Sequence, residues 1–279
     1  MKQPDMQEVE RIVAECLAED YGREDITTET IIPHDNTMEV NFVARETLVI
    51  SGLSVIAIVF DAMDGETELS YNCNDGDLLE KGAVIARLSG NSRAILTGER
   101  VALNLLQRMS AVATITRQYV NAIDGTNAKI LDTRKTMPCL RELDKYAVRC
   151  GGGYNHRMRL DDGVLIKDNH IAVCGGITEA VDIAKKNIPS MTKIEVECDT
   201  LEQVAEAVSA GADVIMLDNM SPEMMREAVA LVAGRVKLEA SGNVNLDTIS
   251  AIAKTGVDYI SVGKITHSAA NVDIGLDVV

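Results

Sequence analysis

The sequence predicts an α/β barrel preceded by a smaller α+β sandwich domain. Three observations carry that prediction. The second half repeats a strand, a helix and a glycine; polar side chains end nearly every strand of that repeat; and the opening stretch instead alternates apolar and polar residues. A chain of 279 residues with 46% hydrophobic content can bury one large core and a smaller one. The expected division is residues 1–110 for the sandwich and 111–269 for the barrel, with a tail, 270–279, packing back on the sandwich.

Taken in order, EVNFVARE and GDLLEKGAVIARLSG alternate with a period of two, as antiparallel strands with one wet face do. The second stretch also resembles the paired strands of a lipoyl or biotinyl carrier domain. No DKA or MKM tripeptide presents a lysine for modification, so a structural sandwich is expected. ERVALNLLQRMSAVATITRQYV reads as a long helix leading into the barrel. KILDTR is a strand ending at Arg134 and VLIK one ending at Lys167; KIEVEC, VIMLDN, VKLEASG and YISVGK follow. Between the first two of these four, Leu201, Val204, Ala205 and Val208 form one apolar helical stripe closed by Gly211. The next helix opens with Ser221 as N-cap and Pro222 behind it, and buries Met225, Ala228, Val229 and Val232 before Gly234. Ile249, Ile252 and Ala253 make a third. The strand-terminal residues Glu197, Asp218, Ser241 and Gly263 recur every 21 to 23 positions, one βα unit per step. Such units form either a barrel or a doubly wound sheet. Polar residues at nearly every strand end favour the barrel, where those ends converge on one mouth, whereas an open sheet needs them only at its switch point.

Composition excludes some functions. A formal charge of −16, a pI near 4.7, 3% aromatics and no Trp leave neither a basic face for phosphates nor platforms for base stacking, so a nucleic-acid partner is not expected. Cys16, Cys73, Cys139, Cys150, Cys174 and Cys198 are scattered without a CxxC pair, and read as reduced thiols. The opening MKQPDMQEVE has no basic segment followed by an apolar one, and the longest uncharged run, Thr47 to Phe60, is too short to span a bilayer. No membrane partner and a cytoplasmic location are expected.

The densest chemical signal is DTRKTMPCLR. Arg134 and Lys135, side by side at a strand end, repel each other, so an anion is the natural reason to place them there. KYAVRCGGGYNHR follows, with glycines that let backbone approach a ligand and then His156 and Arg157; LIKDNH adds Lys167. Five actual or potential cations so concentrated in an acidic chain point to a small polyanionic substrate. In KIEVECD the strand period puts Glu195 and Glu197 on one face, toward the barrel interior, with Val196 on the other. Glu197 and Asp218, at successive strand ends beside the cations, suit Mg²⁺, sugar hydroxyls or a developing positive charge. EASGN and SVGKITHS supply Ser241, Gly242, Gly263 and His267 at the last two strand ends, where barrels often hold a phosphate on backbone N–H groups.

GREDITT, ERVALNLLQRMS, DTRKTMPCLR, KYAVRCGGGYNHR, LIKDNHI, EVE, LDN, EASG and VGxxTHS, in this order from about residue 18 onward, resemble the motif set of the quinolinate phosphoribosyltransferase family. The resemblance implies a barrel of the type II phosphoribosyltransferase kind that converts quinolinate and phosphoribosyl pyrophosphate into nicotinate mononucleotide, pyrophosphate and CO₂, with Mg²⁺, in NAD biosynthesis. It implies a homodimer or a higher assembly, up to a hexamer, in which the N-terminal domain of one subunit covers the barrel mouth of another and Arg100 reaches the partner's site. It assigns Arg100, Arg134, His156, Arg157 and Lys167 to quinolinate, and Lys135, Glu197, Asp218, Ser241, Gly242, Gly263 and His267 to phosphoribosyl pyrophosphate. Lys135, Lys167, Glu197 and Asp218 become the catalytic set, and Glu197 and Asp218 the metal ligands, directly or through water. Three positions depart from the family pattern: Lys264 stands for a small residue, and Asn243 and Ala111 for glycines.

Three other readings stay open on the residues alone. They are a related protein of molybdenum-transport operons, a Schiff-base aldolase using Lys167, and a phosphate sensor without turnover. The full GGGYNHR and DTRKT segments favour quinolinate over the first. The adjacent acids by which Rossmann-like phosphoribosyltransferases hold a ribose after one apolar strand are missing here.

Overall fold

The computed structural model describes residues 2–63 and 66–279. The chain begins with α1 (Met6–Tyr21), α2 (Ile26–Ile31), β1 (Thr37–Ala44), β2 (Leu48–Val49), α3 (Leu53–Met63), β3 (Glu68–Tyr71), β4 (Leu78–Leu79) and β5 (Val84–Asn91). It continues through α4 (Ser92–Ala122), β6 (Lys129–Leu131), α5 (Arg141–Cys150), β7 (Val164–Ile166), α6 (Asp168–Cys174) and α7 (Ile177–Asn187). The last elements are β8 (Ile194–Cys198), α8 (Leu201–Ala210), β9 (Val214–Asp218), α9 (Pro222–Val232), β10 (Lys237–Ser241), α10 (Ile249–Ala253), β11 (Tyr259–Ser261), α11 (Lys264–His267) and β12 (Ile274–Val278).

These elements form two compact units. One comprises Met1–Arg117, Thr136–Gly152 and Ile265–Val279, the other Gln118–Lys135 and Gly153–Lys264. Thr136–Gly152, assigned from sequence to the barrel, thus belongs to the first unit. The reason is α5: it buries Leu143, Tyr146, Ala147 and Val148, packs beside α1, and its Tyr146 hydroxyl donates to Asp75 at 2.7 Å.

The first unit is built on an antiparallel sheet in the order β12-β1-β5-β3. β1 and β5 are the two alternating stretches of the sequence, with a register shift at Phe42/Val43. β1 pairs on its other edge with β12, from Val40↔Val278 to Ala44↔Ile274. Helix α3 buries Leu53, Val55, Ile56, Val59 and Phe60, and Phe60 meets Phe42 edge-on at 6.3 Å. Helix α1, N-capped by Asp5, buries Val9, Ile12 and Val13 and packs on α3. Gly151, one of the three glycines expected to admit a ligand, serves helix packing instead: a Cβ there would lie 2.5 Å from the Ala113 carbonyl oxygen.

The second unit is a parallel sheet in the order β6-β11-β10-β9-β8-β7. Pairing of its first strand with its last is what bends consecutive βα units into a barrel rather than a doubly wound sheet. A bridge from Leu131 to Tyr154 adds one more position beyond β6. Among the described residues no pairing joins that position to β7, so the barrel has an open seam. The strands bury Val196, Ile215, Leu217, Leu238, Ala240 and Ile260 on the helix side. Helix α8 carries a Thr200–Gln203 capping box and ends at Gly211 with φ 78°, and α9 starts from Ser221 and Pro222 as expected. Their buried stripes are narrower than predicted: Val204 and Ala207 on α8, and Met225, Ala228 and Val232 on α9, with Ala205 exposed. No helix among the described residues is long and apolar enough to cross a membrane.

Candidate active site

Strand register sets the site. Glu197 pairs with Met216, which puts Asp218, two residues on, on the same face of the sheet; Asp218 in turn pairs with Ser241. Leu165 pairs with Glu195, so Lys167, just past β7, falls beside Glu197. Its ammonium reaches Glu197 Oε2 at 2.8 Å, with 47% of the lysine side chain exposed and 16% of the glutamate. The polar strand-end residues therefore share one face, together with Leu165, Val214 and Met216 of the same strands.

Three predicted cations join this rim. Arg134 and Lys135 lie on the exposed turn after β6, which ends at Leu131, three residues before the predicted strand end. Arg157 is half-buried, and its guanidinium donates to the Gly163 carbonyl at 2.7 Å. Burial lowers the Arg157 pKa first and the positive field of Arg134 lowers it further, so the two guanidinium groups are close enough to repel. A cluster strained in this way is relieved by a bound anion.

Below the rim lies a buried polar layer that sequence reasoning grasped only in part. The His156 Nε2 atom is 2.9 Å from Glu195 and 3.7 Å from Glu239, and its Nδ1 accepts the Arg157 backbone N–H at 2.7 Å. Asp132, fully buried, accepts the His156 backbone N–H at 2.9 Å and the Asn155 amide at 2.5 Å. Burial, and then the negative field of Glu195, push the Glu239 carboxyl well above the ordinary carboxylate range. Glu239 and Asp132 stand within EASG and DTRKTMPCLR, and sequence alone assigns neither a role of its own. The signal for Glu239 was the period of two that sets it on the face of Ser241.

The predicted phosphate turn is tightly built. Gly242 has φ 95°, and a Cβ there would lie 2.2 Å from Asn219 Oδ1, so only glycine fits. Asn219 donates from Nδ2 to Asp218 at 2.7 Å, and its backbone N–H donates to the Ser241 carbonyl at 3.0 Å. Asn243 occupies the left-handed region at φ 51°, which asparagine tolerates better than most side chains, and its amide donates to Asn219 at 3.2 Å. The turn thus accommodates the asparagine that the resemblance marks as a departure. Gly263 lies two residues past the end of β11. Arg100, exposed on α4, and His267, at the end of α11, fall in the first unit; the other predicted site residues belong to the second.

A family model described as the C-terminal domain of quinolinate phosphoribosyl transferase matches residues 112–277, and one described as its N-terminal domain matches residues 25–110. The chain belongs to the quinolinate phosphoribosyl transferase family. A relative named probable nicotinate-nucleotide pyrophosphorylase, carboxylating, from Bacillus subtilis (strain 168) is 46% identical over 271 residues, covering 97% of this chain and 93% of that protein. The solved nicotinate-nucleotide pyrophosphorylase of Francisella tularensis superposes with a TM-score of 0.95 at 43% identity, covering 100% of this chain and 98% of that one. NadC from Streptococcus pyogenes gives a TM-score of 0.96 at 40% identity, with both chains covered completely. Membership in the quinolinate phosphoribosyl transferase family accounts for the α/β barrel with a smaller N-terminal sheet domain, which these solved structures share.

Proposed function

We propose that the chain is a quinolinate phosphoribosyltransferase, which joins quinolinate to the ribose of phosphoribosyl pyrophosphate and releases nicotinate mononucleotide, pyrophosphate and CO₂ in NAD biosynthesis. The observation that carries this reading is the set of cations in a barrel from this family: Arg134 lies close enough to Arg157 to lower its pKa, and Lys167 pairs with the strand-end Glu197. Arg134, Arg157 and Lys167 hold the two carboxylates of quinolinate, and His156 supports this set from beneath. Lys135, Ser241, Gly242 and Gly263 hold the phosphates. Attack of the ring nitrogen on ribose C1 passes through an oxocarbenium-like state, which the Glu197 carboxylate stabilises. The alkylated nitrogen is then cationic, so losing the neighbouring carboxylate leaves a carbanion beside a positive charge. The protein's main work is to hold a dianion and a polyphosphate in register. Lys167, half-exposed and ion-paired, lacks the desolvated pocket that activates an imine-forming lysine.

Glu197 and Asp218 suit Mg²⁺: both offer hard oxygen donors from one face of adjacent strands, and both are partly open to water, which this ion retains. They would hold it directly or through water, and it would neutralise charge on the pyrophosphate. The protein works in the cytoplasm as a homodimer or higher assembly, with Arg100 of one subunit reaching the site of its partner.

Discrimination between quinolinate and nicotinate tests the reading, since the two differ only by the carboxylate that the reaction expels. Nicotinate leaves part of the cation cluster unpaired, and its kcat/KM should fall short of quinolinate's by about 10⁴ or more. Arg157→Ala should damage the quinolinate reaction severely and change the nicotinate reaction little. Comparable use of both substrates by the wild type would overturn the dicarboxylate site.

A further inference from the structure

Glu239 is 2% exposed and takes no part in the chemistry above, yet it is tied into the site from below. The Ser261 hydroxyl on β11 donates to its Oε1 atom. One of its carboxyl oxygens also lies within 4.8 Å of one from Glu195, where two buried charged carboxylates would repel, so a proton on one of the two is favoured. Glu195 Oε1 is buried and has no hydrogen-bond donor. A proton on Glu239, the more buried of the pair, supplies that donor. The ring above follows the same logic: Nδ1 of His156 accepts the Arg157 N–H, so Nε2 carries the hydrogen and donates to Glu195.

A cation is the competing occupant, because His156, Glu195 and Glu239 each bring one ligand atom within 4.8 Å of the others. A histidine bound to a metal through Nε2 donates its other N–H outward to an acceptor. Here Nδ1 faces the Arg157 N–H, a donor. The outer partners therefore fit a proton between the carboxyls and not a metal.

We propose that Glu239, anchored by Ser261, is a positioning residue for the dicarboxylate substrate. By donating to Glu195 it fixes the acceptor that holds the His156 ring, and through that ring it sets the backbone from which Arg157 reaches the rim. This rests on the reading of Arg157 as a quinolinate-binding residue, which His156 serves by holding its backbone.

The test compares Michaelis constants for both substrates in Arg157→Ala, Glu239→Ala, Glu239→Gln and Ser261→Ala. Glu239→Ala removes a buried hydrogen bond and should raise KM for quinolinate about tenfold, with KM for phosphoribosyl pyrophosphate unchanged. Glu239→Gln, whose amide donates to Glu195 and accepts from Ser261, should stay near wild type. Ser261→Ala, which leaves the carboxyl in place, should shift only the quinolinate constant, by a few-fold, and serves if Glu239→Ala does not fold. Equal changes in both constants, or a glutamine variant as damaged as the alanine one, would overturn the proposal. So would calorimetric binding of Zn²⁺ to chelator-treated wild type that Glu239→Gln abolishes. Should Arg157→Ala leave the quinolinate constant unmoved, the dicarboxylate reading itself fails; should it raise that constant while the Glu239 and Ser261 variants do not, only the positioning role fails.

Discussion

Glu197 and Asp218 stand where a carboxylate serves a ligand better than it serves the core. Each is partly open to solvent, and the partner of Glu197, Lys167, has 47% of its side chain exposed, so the pair contributes little to stability. Glu197→Ala and Asp218→Ala should each lower kcat about 10²-fold, the scale of losing one electrostatic stabiliser. Melting temperatures should hardly move, and a variant that melts far lower yet turns over normally would reverse the assignment. Glu239 makes the opposite prediction. Its folded-state pKa is raised by burial and then by Glu195, so the folded protein holds this proton longer than the unfolded chain. The resulting stability is present below the unfolded pKa and is lost as pH rises through the folded one. Glu239→Gln cannot lose that proton. Its melting temperature relative to wild type should therefore improve as pH rises from the ordinary carboxylate range through neutrality, as thermal scans across pH would show; parallel curves would mean that Glu239 is ionised in the fold.

At the scale of elements, what the sequence disclosed and what it hid have separable causes. β8, β9 and β10 were legible because apolar runs of strand length alternate with capped amphipathic helices, and both signals are local. Helix α3 was not: it is apolar nearly all round, so no stripe sets it apart from any other uncharged run. Glu197 and Asp218 could be read because they stand at the ends of apolar strands, and the cations because they cluster in an acidic chain. The approach of Glu195 to Glu239 could not, because it joins β8 to β10 across an intervening strand: register sets Glu239 level with Glu197, and only the folded sheet brings its carboxyl within 4.8 Å of Glu195. Likewise Gly151 reads as a ligand-facing glycine in sequence, and only the fold puts the carbonyl of Ala113 in the space of its missing side chain. β12 gives this scale its own test. Its pairing covers one edge of β1, and a chain ending after Asp273 would expose that edge. Such a truncation should lower the melting temperature and the soluble yield, while intact solubility and an unchanged transition would show the strand to be dispensable.

For the molecule as a whole, a charge of −16 around a cationic rim means that anionic substrates are held by a local field against a general one. The proposed subunit exchange of Arg100 adds a test at this scale. Arg100→Ala and Lys135→Ala subunits, each inactive alone, should regain activity when mixed, because one hybrid site then combines both intact residues. A mixture no more active than its parents, after subunit exchange has been demonstrated, would confine Arg100 to its own subunit. The strand β12 also bears on how the molecule is made. Its residues, 274–278, leave the ribosome after every strand of the barrel, yet they complete the sheet whose other members, β1, β3 and β5, were synthesised first. The domain translated earliest is thus the one finished last. Throughout elongation the nascent chain carries an unpaired β1 edge, the kind of surface that chaperones cover and that neighbouring nascent chains on a polysome could join.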